Sequence, residues 1–340
     1  MALRDDPRAD PRMVAAMMPF ALDGPPAQAP VTSSSPDEEI YAHCAQVEVG
    51  FGEVFTQFFQ GLPALDVSRS THTIKGVDGN DIDLYLHRPN SNDGPLPAVV
   101  HTHGGGMVIA AAADPNYQRW RDELAAAGLV VVGVEFRNGA GKLGNHPFPA
   151  GLNDCASGLQ WTFDNKDALG ISNIVVSGES GGGNLSLATA LKAKRDGRLD
   201  QIDGVYSQCP YISNAYAAGD PRLPSLVEND GYFLSTEMMA PLAKIYDPSG
   251  EHATNPLAWP YHAKLEDLEG LPPHVISVNE LDPLRDEGLA YFRKLLVAGV
   301  AAASRTVNGT CHAGDLLMRK AMPEVYQSSV ADLKAFASSL

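Results

Sequence analysis

Val175-Val176-Ser177-Gly178-Glu179-Ser180-Gly181-Gly182-Gly183-Asn184 runs from β-branched residues into G-x-S-x-G and then into a helical pattern. That order reads as a strand, a sharp turn and a helix. At the tip of such a turn the serine is held in a strained backbone conformation, and Gly178 and Gly182 leave room for the chain to double back, so the Ser180 hydroxyl stands clear of a sheet. The pentapeptide alone is a weak signal, because glycine-rich loops contain it by chance. The strand before it and the helix after it are the context it requires. Ser180 is therefore the candidate nucleophile.

A serine nucleophile needs a base to take its proton, a carboxylate to orient that base, and backbone N–H groups to hold the oxyanion of the tetrahedral intermediate. In sheets of this kind the acid and then the histidine follow the serine, each in a loop at the carboxyl end of a strand. After the apolar run 274–278 the chain reads Asn279-Glu280-Leu281-Asp282-Pro283-Leu284-Arg285-Asp286, and after 300–307 it reads Asn308-Gly309-Thr310-Cys311-His312-Ala313-Gly314. Asp282 and His312 are the natural choices. Asp286 and Glu287 open the next helix, where acids serve the helix dipole without chemistry, and Glu280 lies closer to the strand.

For the oxyanion, His101-Thr102-His103-Gly104-Gly105-Gly106 follows a strand ending near Val100. Three successive glycines let backbone amides point into a site with no side chain in the way. Gly105 and Gly106 are the expected donors, with the amide of Gly181 as a third. Neither glycine run contains G-x-x-x-x-G-K-[ST] or G-x-G-x-x-G, so no nucleotide and no other cofactor is expected. His101 and His103 lack the carboxylates or cysteines of a metal site, so no metal is expected either.

The chain has 340 residues, 44% apolar and 19% charged, with a net charge of −16. Nucleic acid and anionic membrane surfaces call for clustered Lys and Arg, so neither is an expected partner. No apolar run approaches ~20 residues, and the charged start, with Arg4, Asp5, Asp6, Arg8 and Asp10, has no signal-peptide pattern. A soluble, cytoplasmic protein is the expectation. Cys44, Cys155, Cys209 and Cys311 lie far apart with no C-x-x-C pair, which fits reduced, buried thiols. Cys311, beside His312, reads as buried packing.

Residues 36–60 present Ile40, Cys44, Val47, Phe51, Val54 and Phe58 at helical spacing, interrupted by Gly50 and Gly52, after a Pro/Ala/Ser-rich piece at 22–36. Two alternating segments between 70 and 88 flank Asp78-Gly79-Asn80, a hairpin signal. Continuous apolar runs at 97–102, 129–136, 173–177, 204–209 and 274–278 read as buried strands, and 300–307 reads as a further strand. Helical patterns at 120–127, 149–165, 184–194, around Leu289, Phe292 and Leu296, and around Val330, Leu333 and Phe336 separate them or follow. The fold class is α/β, a mostly parallel sheet with helices on both faces. The alternation stops between 210 and 270, which reads as an insertion above the sheet. The organisation is 1–65 as the first part of a helical cap, 66–209 and 271–340 as the core, and 210–270 as the rest of the cap. Met17, Met18, Phe20, Phe51, Tyr211, Tyr232, Phe233, Met238 and Met239 are the expected apolar wall of a covered pocket.

His103-Gly104-Gly105-Gly106, Gly178-Glu179-Ser180-Gly181-Gly182-Gly183-Asn184, Asp282-Pro283-Leu284-Arg285-Asp286-Glu287 and His312 together resemble the hormone-sensitive-lipase-like (bacterial family IV) carboxylesterases of the α/β-hydrolase superfamily. His146-Pro147-Phe148-Pro149-Ala150, followed by Asp154, is similar to a further family segment. The resemblance implies an α/β-hydrolase fold, a triad of Ser180, Asp282 and His312, an oxyanion hole of Gly105, Gly106 and Gly181, and a cap made by the N-terminal helices and 210–270. This sequence departs from the family at Glu179 and Gly181, where Asp and Ala are usual, at Asn138-Gly139-Ala140-Gly141-Lys142, where Leu-Ala-Pro-Glu is common, and at Ala313, where Gly is usual. The function it implies is hydrolysis of short-chain carboxylic esters, acetyl to hexanoyl, through an acyl-enzyme. An amidase on the same triad and a non-catalytic small-molecule receptor are the alternatives, and a homo-oligomer is open.

Overall fold

The computed structural model describes residues 1–26, 28–90 and 94–340. β1 (Val67–Lys75) and β2 (Asp81–Pro89) form the antiparallel hairpin expected of Asp78-Gly79-Asn80, with Gly79 at φ +80° in the turn. β3 (Leu96–Thr102), β4 (Val130–Val134), β5 (Ile171–Glu179), β6 (Gly204–Gln208), β7 (His274–Asn279) and β8 (Ala302–Val307) complete one eight-stranded sheet in the order β1-β2-β4-β3-β5-β6-β7-β8. β2 runs antiparallel to β4, and from β4 onward each strand is parallel to its neighbour.

Helices fill the connections: α1 (Pro11–Met17), α2 (Asp37–Phe59), α3 (Pro115–Ala126), α4 (Ala150–Asp164), α5 (Gly181–Arg195), α6 (Ser225–Glu228), α7 (Thr236–Tyr246), α8 (Leu265–Leu268), α9 (Arg285–Val297), α10 (Gly314–Leu317) and α11 (Pro323–Ser338). Side chains alternate across the strands, and the two cores follow from that period of two. Val100, Val132 and Val176 lie in the cluster with α4, α5 and α9, whereas Val99, Val131 and Val175 lie in the cluster with α3 and α11. Both sheet faces are thus covered, which is why the central strands read as unbroken apolar runs.

Three differences from the sequence reading have local causes. α2 continues through Gly50 and Gly52; a side chain added at either would meet nothing within 4 Å, so these glycines cost helix propensity, about 1 kcal/mol each, without breaking the packed face. α3 begins at Pro115, five residues before the predicted 120, because Pro at the first helical position is already set for helix. The 210–270 stretch contains α6, α7 and α8, and α7 starts where the Ser235 hydroxyl accepts from Met238 N. Within the 22–36 piece, residue 27 lies outside the described residues. No helix among the described residues is long and apolar enough to cross a membrane.

Registers along the parallel strands bring the carboxyl ends level. Thr102 of β3 pairs with Gly178 of β5, Glu179 with Gln208 of β6, Gln208 with Ser277 of β7, and Asn279 with Val307 of β8. The loops that follow β3, β5, β7 and β8 therefore emerge along one rim, and each holds one of the expected site segments.

Candidate active site

Ser180 occupies the turn between β5 and α5 with φ +58° and ψ −119°, a conformation that L-residues rarely adopt and that persists only where the surroundings enforce it. The enforcement is visible. A side-chain carbon at Gly182 would lie 1.9 Å from the Thr102 carbonyl oxygen, and one at Gly178 would lie 2.4 Å from the Gly182 oxygen, so only glycines let strand and helix approach this closely.

His312 Nδ1 meets Asp282 Oδ2 at 2.8 Å. The other Asp282 oxygen accepts from Leu284 N at 2.9 Å, and the aspartate is fully buried. With Nδ1 engaged, Nε2 is the ring nitrogen left to act, and His312 and Ser180 line the same cavity. Among the described residues the Ser180 hydroxyl has no hydrogen bond of its own, an arrangement common before a substrate draws nucleophile and base together. The competing acids are engaged elsewhere: Glu280 accepts from Gly309 N, Asp286 from Ser225 N, and Glu287 from Ile212 N and the Tyr216 hydroxyl.

The expected oxyanion donors are aimed by what their neighbours bind. In a trans peptide the C=O and the following N–H point in opposite directions. His103 Nδ1 donates to Gly104 O at 2.7 Å, which turns Gly105 N the other way. Gly105 O accepts from Val108 N and Ile109 N, and Ser180 O from Asn184 N and Tyr211 N, which turns out the amides of Gly106 and Gly181 in the same manner. Gly105 has φ +99°, and a side chain there would lie 2.1 Å from Ile109 O. His103 is stacked on Phe136 with ring centroids 4.1 Å apart, and burial pushes its pKa down to about 3, so it serves this loop as a neutral ring.

Cys209, read from the sequence only as a buried thiol, follows β6 and lies beside the Asp282–His312 pair. Its sulfur, an Asp282 oxygen and a His312 nitrogen lie within 4.8 Å of one another. His312 and Asp282 already bind each other, and burial holds the Cys209 thiol well above its usual range, which favours the protonated form over a metal-binding thiolate. Cys44, Cys155 and Cys311 are buried too.

A cavity of about 130 Å³ lies above Ser180. Phe51 and Phe55 of α2 and Met238, Met239 and Leu242 of α7 line it, with Tyr211 and Phe233. Trp120 of α3 and Leu316 and Leu317 of α10 also line it; the sequence reading did not include them, because nothing local marks α10 or the inner side of α3 as facing a cavity. Four expected wall residues are elsewhere. Met18 is 61% exposed, Phe20 stands edge-on against Phe58, Tyr232 donates to Asp6, and Met17 lies beneath the histidine loop with its sulfur 3.9 Å from that of Cys311.

The reason is the path of the first 17 residues, which run along the acid and histidine loops and not over Ser180. Asp10 N donates to Gly309 O, and Cys311 N approaches the Met13 sulfur at 3.4 Å. Arg8 bonds Asp6, Glu228 and Asn229, and buried Asn229 donates to the carbonyls of Glu280 and Asp282 at 3.1 Å each. Asp154 of the 146–154 segment is structural, binding Arg137 and Asn80.

Residues 99–315 match the family model for the alpha/beta hydrolase fold. The chain belongs to the α/β-hydrolase family. Within it the chain is similar to carboxylesterase NlhH of Mycobacterium tuberculosis, 33% identical over 248 residues, 71% of this chain and 72% of that protein. It is 32% identical over 236 residues to an arylesterase of Saccharolobus solfataricus, covering 68% of this chain and 72% of that one. Among solved structures, brefeldin A esterase, described as a bacterial homologue of human hormone-sensitive lipase, matches with a TM-score of 0.97 at 48% identity over 99% of this chain and 95% of that one. Esterase Est22 matches at 0.89 and 35% identity over 99% of each. The resemblance read from short motifs thus holds over nearly the whole α/β-hydrolase chain.

Proposed function

We propose that this α/β-hydrolase is a serine carboxylesterase in which Ser180 attacks the ester carbonyl, His312 takes and returns the proton, and Asp282 holds the imidazole. Gly105, Gly106 and Gly181 donate to the oxyanion, the alcohol leaves, and water releases the acid from the acyl-enzyme. The observation that carries this reading is the 2.8 Å bond from His312 Nδ1 to buried Asp282, in a cavity that Ser180 shares. No metal or cofactor enters the sequence of steps.

Residues 36–65 and 210–270 form the cap in this reading, with α2 and α7 over the reacting carbonyl, while 1–17 brace the acid and histidine loops. The small apolar cavity supports a short acyl group. Each added methylene gains about 0.8 kcal/mol until the space is full, after which overpacking costs roughly 1–3 kcal/mol. Four buried, unpaired cysteines support a reducing compartment, the cytoplasm. The test is turnover of soluble nitrophenyl esters of increasing acyl length, with brefeldin A in the panel, by the native chain, Ser180→Ala and His312→Ala. Both variants are expected to fold and to lose activity to a similar extent, because triad members act as a unit. Near-native activity in Ser180→Ala would overturn the assignment, and fastest hydrolysis of long-chain esters would overturn the short acyl site.

A further inference from the structure

Glu179, where the family usually has aspartate, stands immediately before the nucleophile. Its Oε1 accepts from Gly104 N at 2.9 Å, and its Oε2 meets His101 Nε2 at 2.9 Å. The first bond reaches the glycine loop after β3, and the second reaches β3 itself. Both side chains are buried, His101 completely.

Gly104 is consequently gripped at both ends, its N–H by Glu179 and its C=O by His103. Its surroundings are close: a side-chain carbon there would lie 3.1 Å from the Tyr117 hydroxyl and 3.4 Å from the Glu179 carbonyl oxygen. A residue fixed at both its amide and its carbonyl fixes the next peptide plane, and the next amide is that of Gly105. We infer that Glu179, held by His101, is a positioning residue for the oxyanion hole. It ties the donor loop to the residue preceding the nucleophile, so that the Gly105 amide and Ser180 keep a set separation. An aspartate is one methylene shorter, so Glu179→Asp tests whether the reach to both Gly104 N and His101 Nε2 is needed.

The inference rests on the proposed hydrolase reading, and its test separates the two. Native enzyme, Glu179→Ala, Glu179→Asp and Glu179→Gln are compared for kcat and KM on a soluble short-chain ester and for inhibition by a trifluoromethyl ketone, whose serine adduct places an oxyanion in the hole. Removing an oxyanion donor outright costs about 10²–10³ in kcat. Loss of a support for one donor should therefore cost roughly ten- to a hundredfold in Glu179→Ala, with KM within about twofold and ketone affinity falling by the same factor as kcat/KM. Glu179→Asp, the milder change should the alanine variant fail to fold, is expected to lose about tenfold in both readouts. Glu179→Gln keeps an acceptor for Gly104 N, and His101 can present its other tautomer, so it is expected to retain most activity. Ketone affinity that stays native while kcat falls, full activity in Glu179→Asp, or a Glu179→Gln variant as impaired as the alanine would each overturn the inference. A native chain that neither turns over esters nor binds the ketone would instead sink the hydrolase reading.

Discussion

Gly181→Ala adds one carbon at the place where the nucleophile turn meets the donor loop. That carbon would lie 2.5 Å from Met107 N, 2.6 Å from Gly106 N and 2.7 Å from Gly106 Cα. Ordinary contacts of this kind begin near about 3.5 Å, so the 106–107 backbone must recede by roughly 1 Å. All three atoms are main chain, so no side-chain rotation relieves the contact, and Gly181 opens α5 with ordinary helical backbone, so the strain is purely steric. Gly106 N is an expected oxyanion donor, and an error of about 1 Å in a catalytic group costs on the order of 10²-fold. The expectation is a fall in kcat of about 10²–10³, or roughly 2.7–4 kcal/mol of transition-state stabilisation, with KM little changed. The overpacking should also lower stability by about 1–3 kcal/mol. Steady-state kinetics on a nitrophenyl ester and a urea melt read both quantities. Because alanine is the usual family residue here, a variant with kcat within about threefold of native would refute the claim that this loop packs too closely for it.

Asp282→Asn should keep the fold and lower kcat by about 10⁴, because the amide presents the wrong partner to His312 Nδ1; full activity, or a comparable loss in Asp286→Asn, would move the assignment. Asn229→Ala removes the donor to the carbonyls of Glu280 and Asp282. It should lower kcat more than KM and destabilise by about 1–3 kcal/mol, as two hydrogen bonds are lost at about 0.5–1.5 kcal/mol each while Arg285 still donates to both carbonyls; native kinetics in an equally destabilised variant would show that the brace holds the fold alone. Glu287 is buried, and desolvation raises its carboxyl pKa from 4.5 to about 8. Between those values the folded chain holds a proton that the unfolded chain releases, so stability falls as pH rises through that window and levels off above it. Glu287→Gln retains an acceptor for Ile212 N and the Tyr216 hydroxyl and has no proton to lose, so its melting temperature relative to native should rise between about pH 5 and about pH 9; a constant difference would contradict the buried, protonated carboxyl.

What was legible in the sequence was what chain neighbours decide. The turn at Ser180 depends on residues 178–182, the hairpin on residues 78–80, and the parallel strands on their own apolar runs. The pairing of Asp282 with His312 was reachable because each follows a strand by a few residues, and strand ends share a rim in a parallel sheet. Contacts set by tertiary packing were not legible. Met17 and Tyr232 belong to a bulky apolar set that suits a cavity wall, and their actual places, under Cys311 and against Asp6, depend on where the first 17 residues run. The pairing of Glu179 with His101 depends on the register of β3 against β5, and the nearness of Cys209 to His312 on how two loops meet across the rim. Sequence spacing encodes neither.

Covalent labelling tests the central claim most directly. Native protein treated with a fluorophosphonate, digested and examined by mass spectrometry should carry one adduct, on the peptide containing Ser180. Labelling should vanish in Ser180→Ala and slow by orders of magnitude in His312→Ala. A folded native chain that takes up no label, or one that is labelled equally in Ser180→Ala, would contradict the assignment of Ser180 as the nucleophile.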